Sequence, residues 1–229
     1  MKKIFTLIFI AGILSACNFS VNNTKVGIRK TVKCKGEVTT LQIDGLTGFD
    51  AIVVNGAADI KFIQDDAQSV SVKANSEVFE YLDYSVSETG ELLIETKDHV
   101  NIKADTYKIS ISAPLLKSVE INGAAEWKQK EYIAGTGLNF TVNGAADLEI
   151  KNISVPTLIM EVNGAADLEI EGVNTGSLSL TVNGAGSAEL SGRADYAFFE
   201  VNGAGSIDAS ELVTEKVEKV KSGVASIRL

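Results

Sequence analysis

The hexapeptide Val54-Asn55-Gly56-Ala57-Ala58-Asp59 recurs along the chain, unchanged or with small variations. Its copies begin at Val54, Ile121, Val142, Val162, Val182 and Val201. From Asn122 onward, the asparagines of successive copies are 21, 20, 20 and 19 residues apart. A regular period of this length is typical of solenoids, in which each unit buries its apolar face only against its neighbours. The spacing therefore predicts a stack of similar coils.

Within one copy, apolar and polar residues alternate on both sides of Asn-Gly, as in a strand with one buried face. Leu138, Phe140 and Val142 form one such series, which recurs 20 residues later. We expect parallel strands wound in coils of about 20 residues, with equivalent residues about 4.8 Å apart. Asn-Gly is also the strongest short signal for a β-hairpin turn. A stack of hairpins, however, does not require a constant step of this length.

The Asn-Gly-Ala segment is predicted to form a corner of each coil. Glycine allows a positive φ without steric cost, and the small alanine lets the chain turn tightly. Asparagine side chains in adjacent coils can donate an amide hydrogen to the next carboxamide oxygen, as in cross-β amide ladders. This explains the asparagines without a ligand, so we predict a structural ladder. Its residues are Asn55, Asn122, Asn143, Asn163, Asn183 and Asn202.

The N-terminus has the features of an export signal. Two lysines precede a short apolar stretch, and Leu14-Ser15-Ala16-Cys17 resembles the lipobox of bacterial lipoproteins. The resemblance implies cleavage before Cys17 and attachment of lipid to this residue, which anchors the protein to a membrane. We therefore predict a lipoprotein signal peptide over residues 1–16, a flexible tether over 17–31 and a single β-helix domain over 32–229.

The second cysteine, Cys34, lies on the apolar side of an alternating segment, so we expect a buried thiol. An ordinary signal peptide with a chance cysteine at position 17 is the alternative to lipidation. In that case a disulfide between Cys17 and Cys34 becomes the competing interpretation.

The composition argues against nucleic-acid binding and against common kinds of enzyme. The formal net charge is −9, whereas nucleic acid requires a basic surface. Hydrolytic metal sites and catalytic triads need grouped His, Cys, Asp or Glu side chains, and the chain has a single histidine, His99. The sequence contains no nucleophile elbow, zinc-protease motif or phosphate loop. We therefore predict a non-enzymatic protein without a cofactor.

Acidic residues follow the corner at alternate positions in successive coils. We expect them to face solvent in adjacent columns, where like charges on neighbouring strands repel each other. They are Asp147, Glu149, Asp167, Glu169, Glu171, Glu189 and Asp208. A solvated face is the simpler interpretation. The alternative is a cation site formed by Asp147, Glu149, Asp167, Glu169 and Glu189.

The repeat is interrupted between its first two copies. This irregular insertion in the N-terminal half is predicted to contain strands at residues 69–73, 84–87, 91–96 and 107–112. A hairpin turn is predicted at 87–91 and a short helix at 75–82, capped by Asn75 or Ser76. Because an uncovered solenoid end leaves strand edges unpaired, we expect the insertion to cap or flank the N-terminal end. The other end is expected to be capped by Glu215, Lys216, Glu218, Lys219 and Lys221.

The sequence resembles the bacterial family of auto-transporter adhesin head GIN domains. The resemblance rests on residues 48–56, on the strand Gly90-Glu91-Leu92-Leu93-Ile94, on the turn Ser112-Ala113-Pro114-Leu115-Leu116 and on the later Asn-Gly-Ala copies. It extends over roughly residues 40–229. It implies a right-handed parallel β-helix, exported by Gram-negative bacteria of the Bacteroidetes type and often lipidated. It also implies adhesion, and it brings no catalytic residues.

Together these features predict a lipid-anchored, non-enzymatic binding module of the cell envelope, with an adhesin head as the specific hypothesis. Its partners would be a membrane, through Cys17, and an extracellular glycan or matrix protein. The expected location is the outer membrane, facing either the periplasm or the cell surface. The alternative function is a structural lipoprotein that self-associates through its stacked ends. A carbohydrate-active β-helix enzyme is a more distant alternative.

Overall fold

The computed structural model describes residues 30–97 and 100–229, and most of this backbone lies in β-strands. In chain order the strands are β1 (Thr31–Cys34), β2 (Val38–Gln42), β3 (Ala51–Gln64), β4 (Ser69–Asn75), β5 (Leu82–Val86), β6 (Glu91–Thr96), β7 (Asn101–Ala104), β8 (Tyr107–Ala113), β9 (Ser118–Gln129), β10 (Ile133–Ala134), β11 (Leu138–Lys151), β12 (Ile153–Gly203), β13 (Ser206–Gly223) and β14 (Ser226–Arg228). A 3₁₀-helix, η1 (Ser76–Tyr81), lies between β4 and β5. The predicted all-β class is confirmed.

Strands of successive copies lie side by side in parallel register. β11 pairs with β12 from Leu138 opposite Leu158 to Lys151 opposite Glu171, a step of 20 residues. Parallel pairing also joins β9 to β11, β3 to β9 and β12 to β13. The hairpin interpretation of Asn-Gly requires antiparallel neighbours, so it is wrong for these copies.

The buried side chains show where the chain changes direction. Along β11 the apolar residues at even positions, from Leu138 to Ile150, are buried. Ile153 and Val155 continue the buried series at odd positions, and from residue 158 it returns to even ones. The buried series stays at even positions through the predicted corner at Gly144, so Gly144 is distinguished by its φ of +152°, a conformation that favours glycine, rather than by a change of the buried face.

One continuous hydrophobic core passes through the stack, from Cys34 to Ile227. Its largest side chain is Trp127, whose ring stacks on that of Phe62 with centroids 6.0 Å apart. The Phe140 ring meets Trp127 edge-on at 5.3 Å. Each large apolar side chain buried in this way contributes about 1.5–3 kcal/mol to folding, so side-by-side packing of the paired strands stabilises the sheet.

The insertion covers the N-terminal end of the stack. β6 pairs in parallel with residues 51–55 of β3, and β8 pairs with residues 59–64. Antiparallel pairing then adds β5 to β6, β4 to β8 and β2 to β4. The four predicted strands of the insertion correspond to β4, β5, β6 and β8, and the predicted hairpin joins β5 to β6. β1 and β7 form a separate two-stranded parallel sheet.

The predicted helix at residues 75–82 is the short 3₁₀-helix η1, and it lacks the predicted cap from Asn75. The Asn75 side chain makes no capping hydrogen bond. Its amide instead donates to the Gly36 carbonyl at 2.7 Å, and its oxygen accepts from the Thr106 N–H at 3.0 Å. These contacts join segments that are distant in sequence. The buried Asn75 side chain therefore holds the segments of Gly36 and Thr106 together and does not cap the helix.

A charged coil closes the C-terminal end of the stack. β14 pairs with residues 206–208 of β13, whereas residues 211–223 pair with β12 alone within the described part of the chain. In this coil Lys219 lies opposite Phe199, and Lys221 lies opposite Val201. Two lysines thus occupy positions that are apolar and buried in the preceding coil. Both lysines are exposed, and charges at the edge of a sheet oppose the addition of a further strand.

Candidate functional site

A groove runs along the face that follows the Asn-Gly-Ala corner, and we call it the acidic groove. Side chains of β9, β11 and β12 alternate there between the core and the surface, so that Leu148 and Leu168 are buried while Asp147 and Asp167 are exposed. The groove has a volume of about 320 Å³. It is lined by Glu126, Trp127, Lys128, Asp147, Leu148, Glu149, Asp167, Leu168, Glu169, Ser187 and Glu189.

The structure brings all five carboxylates of the predicted cation face into the acidic groove. Asp147 lies opposite Asp167 in the parallel register, as the predicted columns require. Ser187 interrupts this column, and its hydroxyl donates to Asp167 Oδ1 at 2.5 Å. Glu171 and Asp208, the other two predicted column residues, line an adjoining groove of about 190 Å³ that shares two glutamates with the first.

Lysines that the sequence analysis did not include neutralise part of this face. Lys151 Nζ lies 3.4 Å from Glu149 Oε1 and 3.3 Å from Glu169 Oε1. The same ammonium group lies 3.0 Å from Glu171 Oε2, and Lys130 Nζ lies 2.8 Å from Glu149 Oε1. The repulsion expected between stacked glutamates is therefore reduced by ammonium groups. A weak signal existed in the sequence, since Lys151 stands where the next coil has Glu171.

These ion pairs favour the charged forms of their members. Hydrogen bonding to Lys130, assisted by Lys151, lowers the pKa of Glu149. Hydrogen bonding to Lys151 lowers the pKa of Glu171, and the same contact raises the pKa of the Lys151 ammonium group. At neutral pH these glutamates are therefore ionised, and the groove has a fixed negative charge that lysines offset in part.

The carboxylates of the acidic groove do not converge on one point. In residues 30–97 and 100–229, no group of three or more His, Cys, Asp or Glu side chains is arranged to hold a metal ion. The cation site remains a prediction from the sequence, and Lys151 already supplies a cation to three of the glutamates. Chemically, the groove offers acceptor oxygens to ammonium, guanidinium or hydroxyl groups of a ligand.

The six asparagines of the repeat stand in one column and are joined by amide hydrogen bonds. Asn122 Nδ2 donates to Asn55 Oδ1 at 3.0 Å, and Asn143 donates to Asn122 at 2.9 Å. The series continues at 3.0, 2.9 and 3.0 Å with donors Asn163, Asn183 and Asn202. All five amides donate toward the N-terminal end. Each interior carboxamide therefore donates one hydrogen bond to its neighbour on one side and accepts one from its neighbour on the other side.

Alternate copies add a carboxylate to this ladder. Their asparagines also donate to the glutamate two residues earlier, at 2.8, 2.9 and 2.9 Å. The pairs are Asn122 with Glu120, Asn163 with Glu161 and Asn202 with Glu200. Thr141 and Thr181 occupy the equivalent positions of the copies between them, so these glutamates are never directly stacked. Sequence reasoning missed this alternation, although the residue two places before each Asn-Gly displays it.

Several predicted features lie outside the described residues. These are the signal peptide, residues 17–29 of the predicted tether, the lipid-attachment site Cys17 and the histidine His99. Cys34 is described, and its thiol is buried. Burial raises the pKa of this thiol, with smaller contributions from the carboxylates of Glu77 and Glu80. No helix of the described segments is both long enough and apolar enough to cross a membrane.

The repeat region matches a known protein family. A family model described as "Putative auto-transporter adhesin, head GIN domain" matches residues 48–229. The chain belongs to this family. The GIN-domain resemblance inferred from the sequence is thereby confirmed, and the match begins just before β3, the first strand of the repeat. No protein of curated function matches the sequence.

Several solved structures resemble this GIN-domain chain at low sequence identity. A "putative adhesin" from Parabacteroides distasonis is 16% identical with a TM-score of 0.69, and the match covers 87% of this chain and 99% of that one. A "putative adhesin" from Bacteroides fragilis is 14% identical with a TM-score of 0.58, and the match covers 86% of this chain and 99% of that one. A "putative lipid binding protein" from Parabacteroides distasonis is 19% identical with a TM-score of 0.50, covering 87% and 99%. Such low identities show a shared fold, and the names of these proteins are those of binding proteins rather than enzymes.

Proposed function

We propose that this protein is a non-enzymatic binding module of the bacterial cell envelope, which presents the acidic groove to an external ligand as an adhesin head. The groove carries the proposal, because it extends across several coils and exposes carboxylates, among them Glu149, whose pKa is lowered by hydrogen bonding to Lys130. The amides of the asparagine column, in contrast, use their hydrogen bonds among themselves. The adhesin name of the family agrees with an external ligand.

The scaffold that we propose is a right-handed parallel β-helix, with the asparagine column as its structural ladder. The parallel step of 20 residues between β11 and β12 supports winding of the chain in coils. Connections between parallel strands of one sheet are almost always right-handed, which supports the proposed hand. A crystal structure of the protein would test it, and a left-handed winding would contradict the proposal.

We also propose that Cys17 carries a lipid anchor after removal of residues 1–16. Support comes from Leu14-Ser15-Ala16-Cys17 and from the basic and apolar segments before it. The tether over residues 17–31 would then join the lipid to β1, which pairs with β7 of the insertion. Metabolic labelling with an alkyne fatty acid tests the anchor. The wild-type protein should incorporate the label, and the Cys17→Ser variant should not.

A binding screen of residues 30–229 against glycan and extracellular-matrix arrays tests the ligand proposal. The double variant Glu169→Gln/Glu189→Gln should weaken binding by roughly tenfold or more, because it removes two charged acceptors from the groove. The matched control, Asp66→Asn/Glu88→Gln, removes two exposed acidic groups elsewhere and should bind normally. Absence of binding to every array member would contradict the proposal, as would an equal loss in both variants.

Protease treatment of intact cells tests the location. A protein on the cell surface should be cleaved before the outer membrane is permeabilised, whereas a protein that faces the periplasm should be cleaved only afterwards. Protection in intact cells, together with no binding in the array screen, would contradict the adhesin hypothesis and leave an envelope protein with another role.

A further inference from the structure

Each of the six copies contains Asn followed by Gly, a dipeptide in which asparagine cyclises readily because glycine has no side chain to hinder its backbone nitrogen. In this reaction the glycine nitrogen attacks the asparagine Cγ, and the carboxamide nitrogen leaves as ammonia. The product is a five-membered succinimide. Water then opens the ring at one of its two carbonyl groups, which yields aspartate or isoaspartate. The chain has six such sites in one column.

The ladder opposes this reaction at its interior members. Asn143 donates to Asn122 Oδ1 at 2.9 Å and accepts from Asn163 Nδ2 at 3.0 Å, so its carboxamide is held on both sides. The following residue, Gly144, packs so closely on the preceding coil that an added Cβ would lie 2.0 Å from the Gly123 oxygen, and Gly203 packs similarly on Gly184 at 2.2 Å, so the two sites differ in the coil that follows them. Asn143 itself is exposed, so contacts between coils, rather than burial, hold the reacting groups apart.

Asn202 is held on one side only. Its amide donates to Asn183 Oδ1 at 3.0 Å and to Glu200 Oε1 at 2.9 Å. Its own Oδ1 accepts no hydrogen bond from the residues that the structure describes, because the position opposite it in the last coil is Ser222 rather than a seventh asparagine. The ladder therefore ends at this residue.

The coil that covers Asn202 is also weakly held. Ser222 and Gly223, which lie opposite Asn202 and Gly203, are exposed. In the same coil the exposed Lys219 and Lys221 replace a phenylalanine and a valine that are buried in the coil before it. Terminal repeats with few buried contacts open more readily than interior ones. At the other end of the ladder, by contrast, Asn55 is covered by Glu95 of β6.

We propose that Asn202-Gly203 is a site of spontaneous deamidation, and that the four interior asparagines of the ladder are protected by the coils on both sides of them. Deamidation places a carboxylate beside Glu200 and removes the amide that donates to Asn183, so the last rung gains like-charge repulsion. Isoaspartate also adds a methylene group to the backbone, which disturbs the register with the terminal coil. Release of that coil then leaves Asn183 as the next site, and modification proceeds from the C-terminal end.

Peptide mapping by mass spectrometry tests the proposal on the full-length protein during prolonged incubation at mildly alkaline pH. In the native protein, Asn202 should deamidate roughly tenfold or more faster than Asn143 and Asn163, since local opening of the terminal coil costs less than opening of the interior. In urea all six asparagines should react at similar rates, because the ladder is absent. Equal rates at Asn202 and Asn143 in the native protein would overturn the proposal.

A second variant tests whether opening of the terminal coil controls the rate. Leu212 is buried in this coil, so Leu212→Ala should loosen the coil and accelerate deamidation at Asn202 while leaving Asn143 unchanged. The matched substitution Ile52→Ala, at the covered end of the stack, should not change the rate at Asn202. Deamidation at Asn202 that is insensitive to Leu212→Ala would overturn the proposal.

Discussion

The repeated glycine is a residue at which adjacent coils approach each other closely. A Cβ on Gly164 would lie 2.0 Å from the Gly144 carbonyl oxygen, and a Cβ on Gly184 would lie 2.1 Å from the Gly164 oxygen. Their φ values of +152° and +142° are conformations that residues with a side chain rarely adopt. Both a steric and a conformational reason therefore require glycine at this corner.

The substitution Gly164→Ala should destabilise the protein by about 3 kcal/mol or more, because it adds a backbone clash to conformational strain of about 1–3 kcal/mol. Urea denaturation measures the loss. Gly45→Ala is the control, since Gly45 also has a positive φ of +81° but no atom within 4 Å of its added Cβ. The control substitution should lower the free energy of unfolding by about 1–2 kcal/mol. Equal losses in the two variants would show that close packing of the coils is unimportant.

The ion pairs of Glu149 with Lys130 and Lys151 should make stability depend on pH. The pKa of Glu149 lies below its ordinary value of 4.5, primarily because of the hydrogen bond from Lys130. A carboxylate with a lowered pKa stabilises the fold above its ordinary pKa, and this contribution is lost as the pH falls through the lowered value. The variant Lys130→Met/Lys151→Met should thus have a lower free energy of unfolding than the wild-type protein at neutral pH. Urea denaturation should show this difference from wild type shrinking in acid, and a constant difference would contradict the assignment.

At the scale of the element, the asparagine column behaves as one hydrogen-bonded unit. Asn163→Ala should leave the oxygen of Asn143 without its donor and the amide of Asn183 without its acceptor, at a cost of about 1–3 kcal/mol. The control Asn139→Ala removes an exposed asparagine of the neighbouring strand β11 that lies outside the asparagine column. It should change the free energy of unfolding by less than about 0.5 kcal/mol. Thermal unfolding followed by circular dichroism compares the two, and similar midpoints would argue against a structural ladder.

The terminal coil of β13 is the element that decides whether stacks join end to end. Lys219 and Lys221 occupy the columns of Phe199 and Val201, so burial of this edge against another copy would enclose charges at a high cost. Lys219→Phe/Lys221→Val should therefore form larger species than the wild-type protein does, as measured by size-exclusion chromatography with light scattering. The control Lys61→Phe/Lys73→Val places the same residues at exposed positions elsewhere and should have the same molar mass in solution as the wild-type protein. Self-association of the wild-type protein would favour the structural alternative for its function.

At the scale of the whole molecule, the stack is asymmetric, because the insertion covers one end and the charged coil closes the other. Stability of such arrays is approximately a sum of contributions from each coil and from each contact between neighbours. Hydrogen exchange followed by mass spectrometry should show the strongest protection in β11 and the first half of β12. Residues 211–229 should exchange fastest among the strands of the repeat. Uniform protection from β3 to β13 would contradict this order.

The periodic part of the fold could be predicted because a constant step identifies the partner of each residue. Adding 20 to Leu138 leads to Leu158, which lies opposite it, and steps of 19 to 21 residues assemble the asparagine column from Asn122 to Asn202 and the acidic columns. Alternation of apolar and polar residues indicated which side chains are buried. The sequence by itself therefore determined the β class, the parallel neighbours and the face on which the acidic groove lies.

The contacts that do not repeat were decided by the tertiary structure alone. The Asn75 side chain forms hydrogen bonds with Gly36 and Thr106 rather than with the helix that follows it. Lys151 forms ion pairs with three glutamates in two coils. Pairing of β2, β4 and β8 likewise follows no period. A local pattern specifies the direction in which a side chain points, whereas these interactions depend on which distant groups lie within reach once the coils have packed. For this reason the sequence predicted the carboxylates of the groove, and the tertiary structure decided which of them are neutralised.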